Sequence, residues 1–126
     1  YRHSVFMDNG GVVLSAWLAL APGDGAAIRE RMEELGRRRR EKQPLELPSG
    51  GSTFKRPAEG YAAALIERCG LKGLSVGGAQ VSAKHAGFVV NTGGATCADV
   101  RELVGLVQRR VLEETGVRLE TEIEIV

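Results

Sequence analysis

Ser52 stands in the run Pro48-Ser49-Gly50-Gly51-Ser52-Thr53-Phe54-Lys55-Arg56-Pro57. Three small residues precede its hydroxyl, so the backbone can come close to a ligand there. Lys55 and Arg56 follow within four positions; positive charge beside a hydroxyl lowers its pKa slightly and attracts an anion. A proton donor next to an anion clamp is the chemistry that such a loop can do. Lys42, ten residues earlier, can converge on the same anion. The plainer alternative is a turn serine among surface cations. Against it stands Phe54, one of three phenylalanines in the chain, placed in a loop.

Other candidate groups are less specific. Glu120, Glu122 and Glu124 alternate along one face of a strand-like stretch, where carboxylates ordinarily meet water. Spacing alone does not choose among them; one buried in a cleft would have a raised pKa and could donate a proton or orient an enol. Arg37, Arg38, Arg39 and Arg40 could contact phosphates, but a helix C-terminus also favours cations, and no aromatics interleave for base stacking. Cys69 and Cys97 lie far apart in sequence, with His3 and His85 isolated from both, so no zinc site is expected and two free thiols fit a reducing cytosol. Neither a P-loop nor a dinucleotide fingerprint occurs, and the pairs Gly77-Gly78 and Gly93-Gly94 read as tight turns.

The elements that must position these residues belong to an α+β domain, a small mixed sheet packed with about three helices. At 126 residues and 43% apolar content, the chain makes one domain, or one plus a piece of another. A net charge of +1 gives no field favouring nucleic acid, and no apolar run is long enough for a membrane span. The start carries neither an initiator Met nor a signal peptide, which suggests a chain that begins inside a longer protein. After the turn signal Asn9-Gly10-Gly11, residues 12–20 read as a buried strand. Asp24 caps a helix through about residue 40, with Ile28, Met32 and Leu35 as its buried stripe and Glu33 and Glu34 four positions before Arg37 and Arg38. Residues 43–58 form a loop with three prolines, and 59–69 a helix anchored by Leu65 and Ile66 and stopped at Gly70. Residues 71–80 read as irregular and 87–91 as a short strand. Thr96 and Asp99 make a capping box for a helix with a clean period at Val100, Leu103, Val104, Val107 and Val111, closed at Thr115-Gly116. Residues 118–126 alternate as a strand, with Leu119, Thr121, Ile123 and Ile125 on one face.

The serine run, read with Tyr1-Arg2-His3-Ser4, Lys42-Gln43-Pro44, Gly77-Gly78-Ala79-Gln80-Val81-Ser82, Lys84-His85-Ala86-Gly87-Phe88, Asn91, Asp99 and Leu119-Glu120-Thr121-Glu122, resembles the UDP-N-acetylenolpyruvoylglucosamine reductases. Each match is weak alone; all in order along the whole chain are specific. The likeness is to the C-terminal part of the shorter, type II form. It implies that residues 1–42 are the tail of an FAD-binding domain and 43–126 the substrate-binding domain. The implied reaction reduces UDP-N-acetylglucosamine enolpyruvate to UDP-N-acetylmuramate with NADPH through FAD, in the cytoplasm, for peptidoglycan synthesis. Carried over by position, Ser52 would donate the proton, Glu122 would stabilise the enol, and Arg2 would hold the substrate carboxylate. Lys42 and Arg56 would bind the diphosphate, with Lys55, Gly51 and His85 as further substrate contacts. FAD and NADPH would belong to the complete enzyme, with an upstream FAD-binding domain as partner; these residues alone are not expected to hold FAD tightly or turn over. No metal, membrane or nucleic acid enters this reading. The alternatives are a non-catalytic nucleotide-sugar binding module and a nucleic-acid binder using Arg37 to Arg40.

Overall fold

A computed structural model of the chain describes residues 4–124. They divide into two compact units, one ending at Met32 and the other beginning at Glu33.

In the first unit, α1 spans Val5–Asn9 and ends at Gly10, whose φ of 67° is the left-handed conformation that glycine adopts freely. The turn expected at Asn9-Gly10-Gly11 is present, with the Gly11 N–H donating to Asn9 Oδ1 at 2.8 Å. The buried strand expected at 12–20 is not. Those residues carry no strand, and Val12, Leu14, Trp17 and Leu18 are exposed. An apolar β-branched run becomes a strand when a neighbour takes up its backbone N–H and C=O groups. No such neighbour pairs with it among the described residues.

The helix α2, Gly25–Lys42, starts where expected: the Ala27 N–H donates to Asp24 Oδ1 at 2.7 Å. Arg38 pairs with Glu34 as anticipated, whereas Arg37 turns to Glu41 at 3.4 Å. Its stripe of Ile28, Met32 and Leu35 is exposed instead of buried. A 3.6-residue period makes a face on a helix but does not supply the element to cover it.

The second unit contains β1 (Ser49–Ser52), α3 (Ala62–Arg68), β2 (Ser75–Val76), β3 (Ala79–Val81), β4 (Phe88–Asn91) and α4 (Cys97–Thr115). The strands form one sheet in the order β1-β4-β3-β2. Every pair is antiparallel, so the α+β class holds while the sheet is not mixed. The short turn between β2 and β3 leaves no room for a parallel crossover. Of the stretch 71–80 expected to be irregular, residues from Ser75 on form a hairpin turned at Gly77-Gly78, while 71–74 carry no strand. Only glycine fits at Gly78, because a Cβ there would lie 2.3 Å from Gly93 O and 2.5 Å from Ala95 N.

Helix α4 is built as its sequence dictates. Thr96 Oγ1 accepts the Asp99 N–H at 3.1 Å, the Thr96 N–H donates to Asp99 Oδ2 at 2.8 Å, and Gly116 closes the helix with φ 74°. Its Leu103, Val104, Val107 and Val111 are buried with Ile66 of α3, Val81 of β3 and Leu119. Each such side chain contributes about 1.5–3 kcal/mol when fully buried. The helix expected at 59–69 is shorter, with Tyr61 at its N-cap.

Candidate functional site

The loop expected at 43–58 contains the edge strand β1, and β1 carries Ser52. Ser49 pairs with Val90 and Ser52 with Phe88, so three steps along β1 are matched by two along β4. This is a β-bulge, which kinks a strand and re-aims the side chain beside it. Gly51, with φ at 85°, supplies the left-handed residue within it. Ser52 is left exposed, its hydroxyl donating to Phe54 O at 3.3 Å.

The C-terminal segment is brought to the same place. The Glu122 N–H donates to Thr53 O at 2.9 Å, and the Lys55 N–H to Glu120 O at 2.8 Å. A single bridge, Phe54 to Thr121, lies between them. The strand expected at 118–126 is therefore one bridge, because the segment meets only the few residues that follow β1. Its alternation survives in part. Leu119 is buried, Glu120 and Glu124 are exposed, and Ile125 lies outside the described residues. Glu122 breaks the pattern of wet carboxylates: it is half-buried, and its Oε2 is fully shielded from solvent. Of the three glutamates, burial singles out the one beside Thr53.

A cleft of about 710 Å³ opens next to Ser52, lined among others by Arg39, Gln43, Gly51, Ser52, His85 and Phe88. That volume suits a small-molecule ligand. Several contacts fix its walls. The loop after α2 is tied by Lys84 to Glu46 at 3.3 Å and by the Asn91 N–H to Pro48 O at 2.8 Å. The Glu46 carboxyl lies below its usual range, chiefly through its own backbone hydrogen bond, with Lys84 adding to the effect. His85 is held by its N–H to the buried Ser82 Oγ at 3.2 Å and by an edge-on contact with Phe88 at 4.9 Å. Its Nδ1 accepts the Gly87 N–H at 3.1 Å, so a neutral His85 carries its proton on Nε2 and presents a donor there.

Of the residues singled out in the sequence, Gly51, Ser52 and His85 meet along this cleft, and Glu122 joins the same strand through Thr53. Lys42 is exposed at the end of α2, next to Gln43. Lys55 and Arg56 do not stand beside the Ser52 hydroxyl as expected. Lys55 pairs with Glu120 at 3.5 Å, and the Arg56 guanidinium lies 4.1 Å from the Tyr61 ring centroid. Both line a separate groove of about 240 Å³ with Arg118. Pairing of residues 53–55 with 120–122 turns the chain away after Phe54. Arg2 lies outside the described residues.

Arg39 and Gln43 were missed in the sequence, where the four arginines read as a solvated helix end. The Arg39 Nε donates to Gln43 Oε1 at 3.1 Å. Their i, i+4 spacing, directly before Pro44, was the signal that both share one face where the helix stops. Among the described residues no group of three His, Cys, Asp or Glu is placed to hold a metal. Cys97 is exposed, and burial, then Glu114, pushes the Cys69 thiol up.

The family model described as UDP-N-acetylenolpyruvoylglucosamine reductase, C-terminal domain, matches residues 43–126. The chain is 56% identical to the UDP-N-acetylenolpyruvoylglucosamine reductase of Levilactobacillus brevis over 126 residues, covering 100% of this chain and 41% of that protein. Against the same-named protein of Caldanaerobacter subterraneus the identity is 53%, covering 100% of this chain and 42% of that one. A crystal structure of the reductase from Thermus caldophilus is similar with a TM-score of 0.63 and 43% identity, over 79% of this chain and 34% of that one. The chain thus spans about two fifths of the length of the curated relatives it matches. It belongs to the UDP-N-acetylenolpyruvoylglucosamine reductase family, whose C-terminal domain it carries.

Proposed function

We propose that this chain is the proton-delivering, substrate-binding part of an enzyme that reduces UDP-N-acetylglucosamine enolpyruvate to UDP-N-acetylmuramate, an oxidoreductase step in peptidoglycan precursor synthesis. The observation that carries this reading is the juxtaposition on β1. An exposed serine, re-aimed by a bulge, stands at a cleft, and the one half-buried glutamate of its trio is stitched to the next residue. NADPH is the reductant in this reading, and FAD, once reduced by it, would supply the hydride for the enolpyruvyl methylene carbon. The described residues offer a cleft with a cationic helix end, which suits the diphosphate of a sugar nucleotide. The hold on FAD is assigned to the part of the relatives that this chain does not span. Residues 1–42 are assigned to the edge of that FAD-binding domain and 43–126 to the substrate domain.

The carbon next to the substrate carboxylate gains electron density during the reduction and needs a proton. Ser52 donates it. A hydroxyl of ordinary acidity suffices against so basic a carbon, and placement counts for more than acidity. Glu122 stabilises the enol form by hydrogen bonding from its carboxyl group, one oxygen of which is shielded from solvent. Arg2 holds the substrate carboxylate. Lys42 and Arg56 are assigned to the diphosphate, with Lys55, Gly51 and His85 as further contacts, and the geometry adds Arg39 to these cations. No helix among the described residues is long and apolar enough to cross a membrane. Nucleotide substrates place the reaction in the cytoplasm.

Steady-state assay of the full-length protein tests this function. NADPH consumption is expected to require the enolpyruvyl sugar nucleotide, and UDP-N-acetylglucosamine without the enolpyruvyl group should not support it. Binding of both nucleotides without turnover would contradict the reductase reading.

A further inference from the structure

Thr53 is only 1% exposed although its side chain is polar. Its hydroxyl oxygen accepts the Val89 N–H at 3.0 Å. Its own N–H donates to Gly87 O at 2.8 Å, and its carbonyl accepts the Glu122 N–H at 2.9 Å. One residue therefore joins the end of β1, the strand β4 and the segment that carries Glu122.

The bulge explains why a hydroxyl is placed here. The β1–β4 pair is held at one end by the Asn91 N–H on Pro48 O and at the other by the Thr53 N–H on Gly87 O. Val89 lies midway on β4. With an extra residue in β1 the regular ladder is interrupted, and the Thr53 side chain takes the Val89 N–H in place of a strand carbonyl. A buried N–H that loses its acceptor is costly, so the hydroxyl favours the bulged register over a straight one.

We propose that Thr53 is a positioning residue: its hydroxyl locks the bulge that aims Ser52, and its carbonyl seats Glu122 against the same strand, so that proton donor and carboxylate keep one fixed relation. The proposal rests on the proton-donor reading of Ser52. It concerns geometry, since Thr53 itself is buried and donates nothing to the substrate.

The test uses the full-length, flavin-loaded enzyme. Thr53→Val keeps the shape and removes the hydroxyl. Reduction of the flavin by NADPH should proceed at the wild-type rate, while reoxidation by the enolpyruvyl substrate slows by about 10- to 100-fold, the range expected for misplaced reacting groups. The half-saturating substrate concentration should not change. In the same variant the Val89 amide should exchange faster with deuterium, read by NMR without turnover. Thr53→Ser, which restores the hydroxyl but lacks the methyl, should recover reoxidation and amide protection; a role in packing alone would make it the worse variant. If Thr53→Val does not fold, comparison of Thr53→Ala with Thr53→Ser reads the same hydroxyl. Normal reoxidation in the hydroxyl-free variants, with Ser52→Ala slow, would overturn the positioning role and leave the proton donor standing. Normal reoxidation in Ser52→Ala itself would remove both.

Discussion

Asp99 shows how a single side chain sets the conditions under which the site persists. Its carboxylate accepts the Thr96 N–H and faces Gly77, coupling the start of α4 to the β2–β3 turn. The backbone hydrogen bond from Thr96, followed by the Thr96 side chain, holds the Asp99 carboxyl below its ordinary value of 3.8. A carboxyl whose folded pKa is depressed contributes stability above its unfolded value, and that stability is lost as pH falls through the folded one. Thermal melts taken from neutral pH into acid should show a decline below 3.8 that Asp99→Asn reduces, the variant being less stable at neutral pH. Parallel acid limbs in the two proteins would contradict this role. The box was legible because both partners lie within one turn of chain. The choice of Glu122 over Glu120 and Glu124 was legible only through the family resemblance, not from spacing, because burial of one carboxylate depends on contacts distant in sequence.

At the scale of elements, the bulged edge of β1 does most to place Ser52, and it rests on Gly51. A Cβ at Gly51 meets no atom within 4 Å, so the obstacle to a side chain there is the backbone at φ 85°. Gly51→Ala is expected to cost about 1 kcal/mol of stability, seen as a lower melting temperature. Turnover of the full-length protein should fall further than that loss accounts for, because the strain relaxes by shifting Ser52. Unchanged turnover at a lowered melting temperature would separate the bulge from the chemistry. The same scale shows where a local pattern suffices. Helix α4 follows its apolar period because α3 and the sheet cover that face. The stripe of α2 has an equal claim by period and is exposed. The short strands β1 and β2 were read as loops because runs of two to four residues set among glycines carry no period to detect.

At the scale of the molecule, the described residues that gather at or beside the Ser52 cleft come from the end of α2, β1, the loop before β4 and the C-terminal segment. Family membership was legible in the order of short motifs along the entire chain, each of which marks a turn, a cap or a site residue. The arrangement was not: the separation of Lys55 and Arg56 from Ser52 follows from a pairing between segments 65 residues apart in sequence, and the cleft that Arg39 lines is walled by a loop tied to Lys84 and Asn91, far along the chain. The reading of the molecule stands on Ser52 as the group that completes the reduction. Rapid mixing of the full-length Ser52→Ala enzyme tests it most directly. NADPH should reduce the flavin at the wild-type rate, and reoxidation by the enolpyruvyl sugar nucleotide should be nearly abolished; reoxidation at the wild-type rate would contradict the account.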